Sequence, residues 1–169
     1  MSLPARRQVP DLDDLLCRGY RFALSLTHDP TQAEDLVQEG WLGVLRAKGP
    51  FTRAYLFKAI RNRFIDNYRR SKLVTTESLE DQPEIEMESE TRFWSRQHVL
   101  VPLNGVLERA LGQLKPRERA VIFLTAVEGW TAAEIAELLG CPRGTVLSMM
   151  YRSRLKLRQW LDPEDGGSQ

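Results

Sequence analysis

The chain has 169 residues, of which 42% are hydrophobic and 28% charged, and a formal net charge of +1. That length suits one ordinary domain or two small ones, and the balance is that of a soluble globular protein. No apolar run approaches the ~20 residues of a membrane helix, and Met1–Pro10 lacks the apolar core of a signal peptide, so no membrane contact and a cytoplasmic location are expected. The charge is unevenly placed. Residues 11–72 carry 11 basic and 8 acidic side chains, 73–103 carry 2 and 7, and 104–161 carry 9 and 5. Two basic blocks flanking an acidic bridge suggest a nucleic-acid partner.

In chain order, residues 1–10 are expected to be a disordered N-terminus. Behind Asp11, Leu12, Leu15, Leu16, Ala23 and Leu26 repeat at three-to-four spacing and predict a first helix. Asp29, Pro30 and Gln32 are the N-cap, first and third positions of a second, with Leu36, Val37, Trp41, Val44 and Leu45 as its inward stripe. Gly49-Pro50 breaks the chain. A third helix is expected from near Thr52 to about Lys72, burying Leu56, Ile60 and Phe64. Residues 73–103 read as an acidic flexible linker, with one turn of helix near Phe93 and Trp94. Its alternative roles are a solvated spacer or a negative strand lying in a partner's basic channel.

Helices return over roughly 104–113, 116–127, 131–139 and 142–160, and 162–169 form a short polar tail. Thr131 and Glu134 have capping-box spacing. Gly140 supplies a tight turn and Pro142 opens the next helix. That helix carries Arg152, Arg154, Lys156 and Arg158, so 131–160 reads as a helix-turn-helix of the kind that enters the DNA major groove. Val146, Met150, Ser153, Leu157 and Trp160 are its expected inward stripe. No strand pattern is present, so the fold class is all-α: two small helical domains, 11–72 and 104–161, joined by the linker.

No Gly-rich phosphate loop, Cys/His cluster or nucleophile–base pair stands in the chain, so neither an enzyme nor a metal or cofactor site is expected. Cys17 and Cys141 read as small apolar fillers, and His28 and His98 as exposed. Asp11, Asp13 and Asp14 are explained by the helix macrodipole.

Two segments resemble a known family. Leu114-Lys115-Pro116-Arg117-Glu118-Arg119, Glu128-Gly129-Trp130-Thr131, Glu134-Ile135-Ala136 and Gly144-Thr145-Val146 closely resemble region 4 of bacterial sigma factors, and are also similar to response-regulator output domains. Asp29-Pro30 with Ala33-Glu34-Asp35-Leu36-Val37-Gln38-Glu39-Gly40-Trp41 resembles sigma region 2.2, and Ala54–Arg70 resembles regions 2.3 and 2.4. Both regions in this order match the extracytoplasmic-function (ECF, group IV) sigma factors. The resemblance implies that Glu34, Asp35, Gln38 and Glu39 bind the β′ coiled coil of core RNA polymerase. It also implies that Phe51, Lys58, Arg61, Asn62 and Arg69 contact the −10 promoter element. Arg143, Thr145, Ser148, Tyr151, Arg152, Arg154 and Arg158 are then expected at the −35 element.

Further implied partners are the polymerase β flap and an anti-sigma protein, the chain being a monomer when free or 1:1 with its regulator. The loop around Phe51 is shorter than in the family, and Leu147 and Met149 stand where family members often carry Lys or Arg. Two other readings stay open: a stand-alone helix-turn-helix regulator, and a sigma-like protein-interaction module without promoter function.

Overall fold

A computed structural model describes residues 11–74 and 105–161. Within them the chain forms α1 (Leu12–Thr27), α2 (Pro30–Arg46), α3 (Arg53–Val74), α4 (Gly105–Gly112), α5 (Pro116–Ala126), α6 (Ala132–Leu139) and α7 (Arg143–Leu161). The acidic linker, the helical turn near Phe93 and both termini lie outside the described residues.

The local signals act as the sequence anticipates. The Asp29 carboxylate accepts the Gln32 N–H at 2.8 Å and starts α2. Thr131 and Glu134 close a reciprocal capping box at the head of α6, with Thr131 N–H donating to Glu134 Oε2 at 2.8 Å. Gly140 ends α6 at φ 63°, in the left-handed region that glycine enters without strain. Gly49 is required for another reason. A Cβ there would lie 2.1 Å from the Tyr55 ring, so the α2–α3 turn closes only over a bare backbone.

The first block is a three-helix bundle of α1, α2 and α3 around Phe22, Leu36, Val44, Leu56, Phe57 and Ile60. The second packs α4, α5 and α6 on α7 around Val121, Leu124, Ile135, Leu139 and Val146. Four positions differ from the expected repeats. Leu12, at the start of α1, is exposed. Leu45 is exposed, lying about 100° around the helix from Val44, which takes the buried position in the same turn. Trp160 is exposed near the end of α7, and Met149 rather than Met150 is the buried methionine.

The blocks do not stand apart. Helix α1 packs on α5 and α3 on α6, so one apolar core runs through both. Phe57 sits between Phe22 (centroids 4.6 Å) and Trp130 (5.6 Å), forming a stacked aromatic row across the junction.

Candidate nucleic-acid and partner interface

On α2, Asp35, Gln38 and Glu39 are exposed and Glu34 is half-buried. They do not form one uniform acidic strip. Glu34 and Gln38 border a shallow apolar dimple made with Leu16, Tyr20, Val37 and Trp41, so Val37 and Trp41 adjoin the polar face rather than opposing it. Asp35 and Glu39, one turn apart, form the neighbouring row. Burial and then the Glu34 carboxylate push the Tyr20 hydroxyl above its ordinary value, which keeps it neutral beside that charge. The surface offers carboxylates to cations and a recess to an aliphatic stem, as an arginine-bearing helix requires.

The turn before α3 places Phe51 against Trp41, with centroids 5.1 Å apart and planes inclined by 46°. Phe51 stays 42% exposed, so it is not a core plug and offers ring surface for stacking. Along α3, Lys58, Asn62 and Arg69 are exposed. Arg61 behaves differently. Its guanidinium donates to the Leu139 carbonyl at 2.9 Å, in the turn of the helix-turn-helix, and to Asn62 Oδ1 at 3.2 Å.

On α7 the seven anticipated DNA-facing residues, from Arg143 to Arg158, are all exposed, Tyr151 at 67%. Ser148 Oγ donates to the Gly144 carbonyl, and Arg152 Nε to the Ser148 carbonyl. Leu147 is exposed at the same surface, whereas Met149 is buried and unavailable to DNA. Lys156, part of the basic run, turns inward. Its Nζ donates to Glu118 at 2.8 Å. Burial raises the Glu118 carboxyl, but the Lys156 ammonium and the Lys115 N–H together hold it below its ordinary value.

Two charged residues that sequence reasoning missed hold the blocks together. Arg119, buried on α5, donates to the carbonyls of Ser25 (2.9 Å) and Leu26 (3.0 Å) and to that of Leu114. Ser25 and Leu26 lie in the last turn of α1, where carbonyls lack helical donors and the dipole favours a cation. Glu128, its side chain 0% exposed, accepts from Arg18 at 3.3 Å and Arg53 at 3.1 Å. Arg119 stands in the polar run Lys115–Arg119 and Glu128 between Val127 and Gly129; both fall in the segments that resemble region 4, but no periodicity separates them from surface charges. The free cysteines Cys17 and Cys141 are half-buried. No group of residues suited to a metal ion exists among the described residues, and no described helix is long and apolar enough to cross a membrane.

Two family models match the chain. Residues 13–73 match the family model for Sigma-70 region 2, and residues 105–157 that for Sigma-70, region 4. The chain is 35% identical to the ECF RNA polymerase sigma factor SigL of Mycobacterium tuberculosis, over 82% of this chain and 80% of SigL. It is 32% identical to the ECF RNA polymerase sigma factor SigE of Mycolicibacterium smegmatis, over 90% of this chain but only 62% of that protein. Among solved structures, the sigma factor RpoE of Bartonella quintana, in complex with the anti-sigma factor NepR, superposes with a TM-score of 0.70. That match covers 90% of this chain and 95% of RpoE at 24% identity, which establishes likeness of fold.

Proposed function

The chain belongs to the ECF RNA polymerase sigma factors, and from that membership we propose how its surfaces divide the work of transcription initiation. The α2 face of Glu34, Asp35, Gln38 and Glu39 binds the β′ coiled coil of core polymerase. Phe51 and the α3 row of Lys58, Arg61, Asn62 and Arg69 engage the −10 element. Cations there hold phosphate while an aromatic face stacks on an exposed base, worth ~1–3 kcal/mol, close to the cost of extruding one. The outer face of α7 reads the −35 element, with Leu147 offering apolar contact to a thymine methyl group. Polymerase performs the chemistry, so no residue of this chain is assigned a catalytic role. An anti-sigma protein is the expected regulator, as RpoE has one in its complex.

The observation that carries the reading is the pairing of region 2 and region 4, in order, on one short chain. It is supported by the exposure of the acidic α2 row and of the α7 arginines. The test is binding to sigma-free core polymerase. The double substitution Asp35→Lys/Glu39→Lys reverses two exposed charges and should abolish binding while the helical circular dichroism signal persists. Unchanged affinity removes this face from the assignment.

A further inference from the structure

The contact between the two blocks conflicts with what the blocks must do. Arg61 of α3 is bonded to the Leu139 carbonyl, and α6 leads through Gly140 directly into α7. With 22 and 19 residues, α3 and α7 span about 60 Å even laid end to end. The −10 and −35 elements lie about 25 base pairs, or about 85 Å, apart along straight B-DNA. The closed chain therefore cannot contact both at once, and its Arg61 is already engaged.

We infer that the free chain is held in this closed, promoter-incompetent form by an electrostatic latch, the Glu128 carboxylate clamped between Arg18 and Arg53, and that the latch must break on loading onto polymerase; this rests on the sigma assignment above. Three features favour Glu128 as the latch. Its side chain is fully enclosed, although it follows the end of α5 in a connecting turn. Both of its recorded cations belong to the other block, one on α1 and one at the start of α3. Neighbouring Trp130 stacks on Phe57 of α3, so the turn is anchored to the other block two residues beyond the charge. Arg119 provides the second fastening, through the α1 carbonyls, but it also braces Leu114 within its own block. Glu128 is thus the cleaner switch. Opening returns its charge to water and also parts the apolar junction where Phe57 stacks on Trp130, so the latch acts together with that packing.

Population arithmetic gives the consequence. When only a fraction of the chain is open, the apparent dissociation constant for polymerase rises by the inverse of that fraction. The test measures distance and affinity on the full chain. Spin labels at Asn67 on α3 and Glu137 on α6, in a Cys17→Ala/Cys141→Ala background, should report one short, narrow distance in the free protein. Glu128→Arg, which faces two arginines, should convert it to a long, broad distribution and tighten core-polymerase binding at least tenfold. Adding Arg18→Glu and Arg53→Glu to Glu128→Arg should restore the short distance. Should Glu128→Arg fail to fold, Arg53→Glu opens the same clamp from a side chain that is 49% exposed. A broad distance in the unsubstituted protein, or an opened variant with unchanged polymerase affinity, overturns the inference. Failure of every form to bind polymerase, with the distances behaving as stated, defeats the sigma assignment and leaves the closed state standing.

Discussion

Lys156 and Arg152 sit one turn apart in the basic run of α7, yet the structure assigns them opposite fates, and salt dependence separates these. Each phosphate neutralised on duplex DNA contributes about 0.9 to the slope of log affinity against log salt. Four α7 arginines, at 143, 152, 154 and 158, are exposed, whereas Lys156 is bonded to Glu118. Four contacts give a slope near −3.6, a loss of roughly 150-fold between 50 and 200 mM salt. Arg152→Ala should reduce the slope to about −2.7 and that loss to roughly 40-fold. Lys156→Ala should leave the slope unchanged and instead lower stability by about 1 kcal/mol, because Glu118 is mostly enclosed and loses its cation. The assay is fluorescence anisotropy on a duplex obtained by in vitro selection, at several salt concentrations, with thermal denaturation of each variant in parallel. Equal slopes for Arg152→Ala and the unsubstituted protein, or a reduced slope for Lys156→Ala, refutes the division of charges along this helix.

Ser153 is fully buried on α7, and its hydroxyl has no hydrogen-bond partner among the described residues. Ser153→Ala removes that desolvated group and should raise stability by about 1 kcal/mol, or the melting temperature by about 2–4 °C, in differential scanning calorimetry; a lower melting temperature contradicts it. Phe51→Ala loses the ring contact with Trp41 and should lower the melting temperature by about 2–4 °C while the helical signal persists, and should weaken open-complex formation by about 1–3 kcal/mol, read by 2-aminopurine fluorescence in the −10 strand. His28 caps α1 at φ 56° and is exposed as expected, but with its ring against Gly112 partial desolvation, and then the Arg119 guanidinium, lowers its pKa, against an opposing pull from Glu108. The fold therefore favours the neutral imidazole. This contribution is complete above the ordinary value of 6.5 and is lost as pH falls below it. Thermal stability should decline on acidification from pH 7.5 to 5.5, and His28→Asn, which tolerates the left-handed backbone, should flatten that decline; parallel curves exclude His28.

Much of the fold is legible because its local signals are strong and mutually consistent. Asp29-Pro30, the Thr131–Glu134 box and Gly140 each carry a stereochemical reason to start or stop a helix, and the boundaries follow them within about two residues. Side-chain destinations at helix ends are less legible. Leu45 lies at the edge of the stripe whose centre Val44 takes, and Trp160 lies in the exposed last turn of α7, so periodicity alone misplaces them. The docking of one block on the other is not legible at all. It depends on Arg119 reaching a helix terminus 93 residues away in sequence and on Glu128 meeting arginines 75 and 110 residues away, pairings that no local pattern encodes. The candidate site shows the same division. Exposed rows on α2 and α7 follow from helical spacing, while the engagement of Arg61 and Lys156 follows only from tertiary packing.

Start-site-specific RNA synthesis by purified core polymerase, freed of other sigma factors and supplied with this chain and a genomic promoter library, tests the account most directly. Run-off products with defined 5′ ends that require the chain, and that disappear with Asp35→Lys/Glu39→Lys, are the predicted result. Transcripts identical with and without the chain, across every template that it binds, would contradict it.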